Sequence, residues 1–100
     1  MIKHVVLFKL ASFAEGNTKY ENALYIKEKL EGLEALIPEL LKIKIVLNIP
    51  EVSLNNYDLM LIAEFNSLQD LDIYANHPEH IKVVSFISKV KTERAAIDYQ

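Results

Sequence analysis

The chain has 100 residues, 51% of them apolar and 25% charged, which is the size and composition of one globular domain and excludes disorder or collagen-like repeats. Eleven basic against fourteen acidic residues leave a net charge of −3, which does not suit a general nucleic-acid binder. Cysteine is absent, so no disulfide and no thiolate site can form.

Residues 1–10 read as a strand. Alternation puts His4, Val6, Phe8 and Leu10 on one face and Val5 and Leu7 on the other, so the middle is apolar on both sides, as in a central strand. A loop is expected over residues 11–17. Thr18 and Glu21 have capping-box spacing, and behind them Tyr20, Ala23, Ile26, Leu30 and Leu33 recur at helical intervals. Gly32 is expected to end this helix in the left-handed conformation, with one more short turn before Pro38.

Residues 42–49 alternate, with Ile43, Ile45, Leu47 and Ile49 facing one way, and predict a half-exposed strand. Residues 50–57 form a loop with the turn pair Asn55-Asn56, expected to move relative to the strands. Residues 58–65 are apolar on both faces and predict a second central strand. Ser67 caps the next helix, in which Leu68, Leu71 and Tyr74 face inward. Asn76-His77-Pro78 interrupts it, and Pro78 suits the first position of a further helix with His80, Val83, Val84 and Ile87 on one side. Residues 94–99 predict a last short strand.

The order β-α-β-β-α-α-β predicts an α+β, ferredoxin-like fold: a four-stranded antiparallel sheet with helices on one face, in a single domain over residues 1–100. The other face then exposes Val5, Leu7, Met60 and Ile62. A second copy packed sheet against sheet would cover it, so a homodimer is expected. The longest apolar runs, 5–8 and 59–63, fall far short of the roughly 18 residues of a membrane span. The run after Lys3 is also shorter than a secretory h-region of roughly 7–15 residues, so a cytoplasmic protein is expected, with neither membrane nor nucleic acid as partner.

The stretch Tyr74-Ala75-Asn76-His77-Pro78-Glu79-His80 is the most distinctive candidate for chemistry, although Tyr74, His80 and His4 could equally be core residues. The break at Pro78 turns one helix back on the other, so Tyr74 and His80 can converge under the face of the first strand that carries His4. An imidazole titrates near neutral pH and can take and return a proton, while a phenol can hold a developing oxyanion. That pair suits proton transfer beside a carbonyl. Val6, Phe8, Leu30, Leu61, Leu71, Val83 and Val84 would line the pocket. His77 reads as a helix cap. A three-histidine metal site would need a cap and an inward position to point together, so no metal is expected. No glycine-rich phosphate loop and no nucleophile elbow is present.

The opening Ile2-Lys3-His4-Val5-Val6-Leu7-Phe8-Lys9-Leu10, the pair Ile37-Pro38, the strand start Tyr57-Asp58-Leu59, the Tyr74–His80 motif and the ending Arg94-Ala95-Ala96-Ile97-Asp98-Tyr99 resemble the stress-responsive A/B barrel (Dabb) domain family over the whole chain. The resemblance implies a ferredoxin-like subunit in a dimeric α/β barrel. It also points to the plant olivetolic acid cyclases, which close a polyketide chain by aldol condensation without a cofactor. It matches His80 to their base, Tyr74 to their assisting tyrosine and His4 to their first-strand histidine. Val84 stands where the cyclases carry small glycines, and Leu30 or a neighbour replaces a large aromatic residue, so a long-chain polyketide fits poorly. Two functions stay open from the sequence: a small-molecule-binding protein with cofactor-free cyclase, isomerase or lyase chemistry on a small carbonyl compound, and a non-enzymatic stress-response or assembly protein whose barrel is structural.

Overall fold

A computed structural model describes all 100 residues, Met1–Gln100. Along the chain come β1 (Ile2–Leu10), a small hairpin of β2 (Phe13–Ala14) and β3 (Asn17–Thr18), α1 (Lys19–Gly32), a 3-10 turn (Leu33–Ala35), β4 (Lys42–Leu47), β5 (Leu59–Phe65), α2 (Leu68–Ala75), α3 (Pro78–Val90) and β6 (Lys91–Tyr99). β4, β5, β1 and β6 form one sheet in that order, with every pairing antiparallel. This is the ferredoxin-like α+β arrangement expected from the element order.

The two apolar strands lie side by side in the centre. Val6 faces Leu61 and Phe8 faces Leu59 toward the helices, while Val5 faces Ile62 and Leu7 faces Met60 toward the other side. The helix side is closed by Ile26, Leu30, Tyr74, Val83 and Ile87, so the single core lies between sheet and helices. The opposite side has no covering element within the chain. No helix is long and apolar enough to cross a membrane.

The helix starts follow their caps. Thr18 Oγ1 accepts from the Glu21 amide while Glu21 Oε1 accepts from the Thr18 amide, which completes the capping box. Ser67 Oγ accepts from the Asp70 amide, and the His77 ring accepts from the Glu79 amide beside Pro78 at the first position of α3.

Several details depart from the pattern-based expectation. The segment 11–17 is not plain loop: Glu15 and Gly16 both take positive φ (51° and 78°), the geometry of a two-residue hairpin turn. The hairpin is stapled to α1 by the buried Asn22, whose side-chain amide donates to the Ala14 carbonyl at 3.1 Å. Gly32 ends α1 but keeps right-handed φ −65°, because the chain runs straight on into the 3-10 turn. Tyr20, Leu68 and Ile49 are exposed rather than inward, at 66%, 66% and 65%. β6 starts at Lys91, three residues earlier than the alternation suggests.

The outer edge of β4 is finished by side chains from α1 and the turn after it. Glu31 accepts from the Ile45 amide at 2.9 Å and Glu34 from the Ile43 amide at 3.0 Å, while Lys27 donates to the Ile45 carbonyl at 2.8 Å. Edge amides that could pair with another chain are thereby satisfied internally. Burial alone would raise the Glu31 carboxyl, but the Ile45 amide and the Lys27 ammonium outweigh it and hold the group below its ordinary value.

Candidate active site

A pocket of about 330 Å³ opens between the sheet and helices α2 and α3. β1 supplies His4, Val6 and Phe8 from one face, because alternate residues of a strand point the same way. Leu30 comes from α1, Leu61 from β5, Leu71 and Tyr74 from α2, and His80, Val84 and Ile87 from α3. Nine of the thirteen lining residues are hydrophobic, so polar groups inside act against a weakly screening background.

The break at Pro78 brings the two halves of the motif together. The rings of Tyr74 and His80 lie with centroids 4.2 Å apart and planes tilted by 36°, a stacked contact rather than a hydrogen bond. Tyr74 also packs on Phe65, with centroids 5.1 Å apart. Tyr74 is 1% exposed, and its hydroxyl is buried with no protein partner. A buried hydroxyl left unpaired costs free energy, so a bound molecule that reaches it through a small shift of the neighbouring side chains would be favoured there. Burial pushes the Tyr74 phenol well above its ordinary value, so it stays protonated and can donate.

Each histidine has a defined role for its Nδ1. His80 Nδ1 lies 3.0 Å from the Ala75 carbonyl, and since a carbonyl only accepts, Nδ1 carries the proton and Nε2 of the neutral ring is left as the base. Burial lowers the His80 pKa, the charges of His4 and His77 act in the same direction, and the Ala75 carbonyl opposes them. His4 Nδ1 is 2.5 Å from Asp98 Oδ1 across the β1–β6 pair, where His4 and Asp98 are in register. His77 Nδ1 accepts from the Glu79 amide at 3.1 Å, so it serves the helix end and does not line the pocket. No group of three His, Asp or Glu side chains comes together in a way that could hold a metal ion.

Of the lining residues expected from sequence, Val6, Phe8, Leu30, Leu61, Leu71 and Val84 meet His4, Tyr74 and His80 here. Val83 does not: one position earlier on α3, it turns toward α1 and lines a separate depression with Tyr25, Leu33 and Phe86. β6 adds residues that the sequence pattern does not single out. Lys91 and Arg94 line the pocket, and Asp98 orients His4. The antiparallel register places Arg94 opposite Phe8 and Asp98 opposite His4, so pairing β6 with β1 by face would have found both.

Fold and pocket together define the class: a ferredoxin-like α+β domain with an apolar cavity under its helices, lined by a tyrosine and two histidines. The family model of the Stress responsive A/B Barrel Domain, Dabb, matches residues 2–100, and the chain belongs to that family. It is 24% identical over 99 residues to the Arabidopsis thaliana stress-response A/B barrel domain-containing protein DABB1. The match covers 99% of this chain and 46% of DABB1, so the chain spans about half the length of that relative. A dimeric protein of unknown function and ferredoxin-like fold from Bacteroides fragilis is 31% identical, with a TM-score of 0.78 over 99% of this chain and 94% of that one. A hydroxynitrile lyase from Passiflora edulis shares the fold at 15% identity, with a TM-score of 0.80 over 98% of this chain and 90% of that one.

Proposed function

We propose that the protein binds a small carbonyl compound in this pocket and moves a proton on it without a cofactor. The observation that carries the reading is the buried Tyr74 hydroxyl without a protein partner, stacked against a neutral His80 in an apolar cavity. His80 Nε2 takes a proton from the carbon beside the carbonyl. The electron pair of that C–H bond forms a C=C bond to the carbonyl carbon, the carbonyl π pair moves to the oxygen, and the Tyr74 hydroxyl donates to the oxyanion that forms. The proton then returns from His80 to carbon, to oxygen or to a departing group, which separates isomerase, cyclase and lyase outcomes. His4, held by Asp98, orients the substrate or polarises its oxygen. That a hydroxynitrile lyase is built on the same fold in Passiflora edulis supports the compatibility of such a scaffold with small-molecule chemistry.

Thermal-shift screening of small aldehydes and ketones tests the reading. Wild type is expected to be stabilised by at least one compound, and His80→Ala and Tyr74→Phe to lose that response while remaining folded. If no compound shifts wild type, and His80→Ala is merely less stable through its cavity and the unpaired Ala75 carbonyl, the reading falls.

We also infer that the protein is a homodimer, a dimeric α/β barrel formed sheet face to sheet face. Val5, Leu7, Met60 and Ile62 share the uncovered face with the exposed Val46, Ile97 and Tyr99. The Bacteroides fragilis relative is described as dimeric, which supports the same arrangement here. This face also favours a second reading, a non-enzymatic stress-response or assembly protein whose dimer is itself the product. The ligand screen separates it from the first.

A further inference from the structure

The mouth of the pocket has a charge pattern that proton transfer does not use. Lys91 follows the last residue of α3, and Arg94 lies three residues along β6 on the strand face opposite Phe8. Both line the pocket beside the apolar Val84 and Ile87. No carboxylate lines it, although the chain has more acids than cations, 14 against 11. The ion pairs elsewhere engage Lys9, Lys19, Lys27 and Lys82, and none engages Lys91 or Arg94. Asp98, on the same face of β6, is held by His4, and Glu93 pairs with Lys9.

Two exposed cations without an ion-pair partner, at the rim of a small apolar cavity, match an anion with an apolar body. A guanidinium presents parallel donors that fit a carboxylate in two-point contact, and an ammonium beside it adds a point charge. At about 330 Å³ the cavity is at the small end of ligand sites, which limits the body to one ring or a short branched chain. We propose, on the reading that this pocket is the ligand site, that the ligand is a small monocarboxylate with an aromatic or branched aliphatic body. Its carboxylate is held by Arg94 and Lys91, and its body lies between Phe8, Leu61 and Val84. An oxo acid would then meet both halves of the site, with the anion at the rim and the ketone beside Tyr74 and His80.

The test is calorimetric titration of matched pairs: phenylacetate against phenylacetamide, and 4-methylpentanoate against 4-methylpentanamide. Each acid is expected to bind at least about tenfold more tightly than its amide, the ratio associated with one hydrogen bond to a charged group. Arg94→Gln should remove most of that ratio, whereas Lys89→Gln, an exposed α3 lysine outside the pocket lining, should preserve it. Equal binding of acids and amides, or a ratio that survives Arg94→Gln, overturns the assignment. If neutral ketones still bind in a His80-dependent way in that case, only the anion assignment falls. If acids, amides and ketones all fail to bind, it falls together with the pocket reading.

Discussion

The two faces of the central sheet are built from the same kinds of residue and end in opposite states. On one face Val6, Phe8, Leu59 and Leu61 are buried under helices of the same chain; on the other Val5, Leu7, Met60 and Ile62 stay half-exposed. The covered face buries its apolar groups within one chain and keeps a cavity with two histidines and a tyrosine. The uncovered face carries no such cluster, only apolar side chains rimmed by Lys3, Lys9, Lys44 and Glu64. On the proposed function the two faces divide the labour: chemistry is housed where the chain covers itself, and association is left to the face it cannot cover.

The largest effect is expected from a charge on the uncovered face. Met60→Asp would bury a carboxylate without a partner in the dimer, and sedimentation at micromolar concentration is expected to show the dimer lost. A dimer unchanged by this substitution would contradict sheet-to-sheet association. Next in size is Tyr74→Phe on the covered face. Turnover is expected to fall by roughly a hundredfold to a thousandfold, the usual cost of losing one oxyanion donor. Because the hydroxyl has no protein partner, the melting temperature should not fall. A clear loss of stability with unchanged turnover would make Tyr74 a packing residue only.

His77→Ala should separate the cap from the site. It is expected to cost about 1 kcal/mol in denaturant unfolding, the usual value of an N-cap, and to leave ligand response intact. The smallest effect concerns pH. His80 is held below its ordinary value, so the unfolded chain takes up that proton at a higher pH than the folded chain does. Stability from this group is present above about 6.5 and is lost as pH falls toward the folded value. Glu31, also lowered, adds a further loss in the carboxylate range. A His80→Gln variant should flatten the upper part of that profile and leave the lower part unchanged, measured by thermal unfolding between pH 4 and 8.

Much of this arrangement was legible in the sequence, and the exceptions have physical causes. Strand alternation is strict, so His4, Val6 and Phe8 could be placed on one face, and a proline after a histidine marked where Tyr74 and His80 would turn toward each other. β6 was different. Its apolar alternation, Ala95, Ile97 and Tyr99, points to the uncovered face, so no apolar pattern marks the other side of the strand, where Arg94 lines the pocket and Asp98 bonds His4. Val83 and Val84 lie about 100° apart on a helix, and apolar pattern alone cannot tell which one meets the cavity. The 13–18 hairpin has arms too short to show alternation, and its Glu15-Gly16 pair was the only local sign of a turn.

The central claim, a proton moved beside a carbonyl by His80, is tested most directly by deuterium exchange. The protein is incubated in D2O with a small ketone that binds it, and the α-proton signal of the ketone is followed by NMR. The account predicts that wild type speeds loss of that signal above the buffer rate, that Tyr74→Phe does so far less, and that His80→Ala does not do so at all. Exchange at the buffer rate with wild type, or an equal acceleration by His80→Ala, would contradict it.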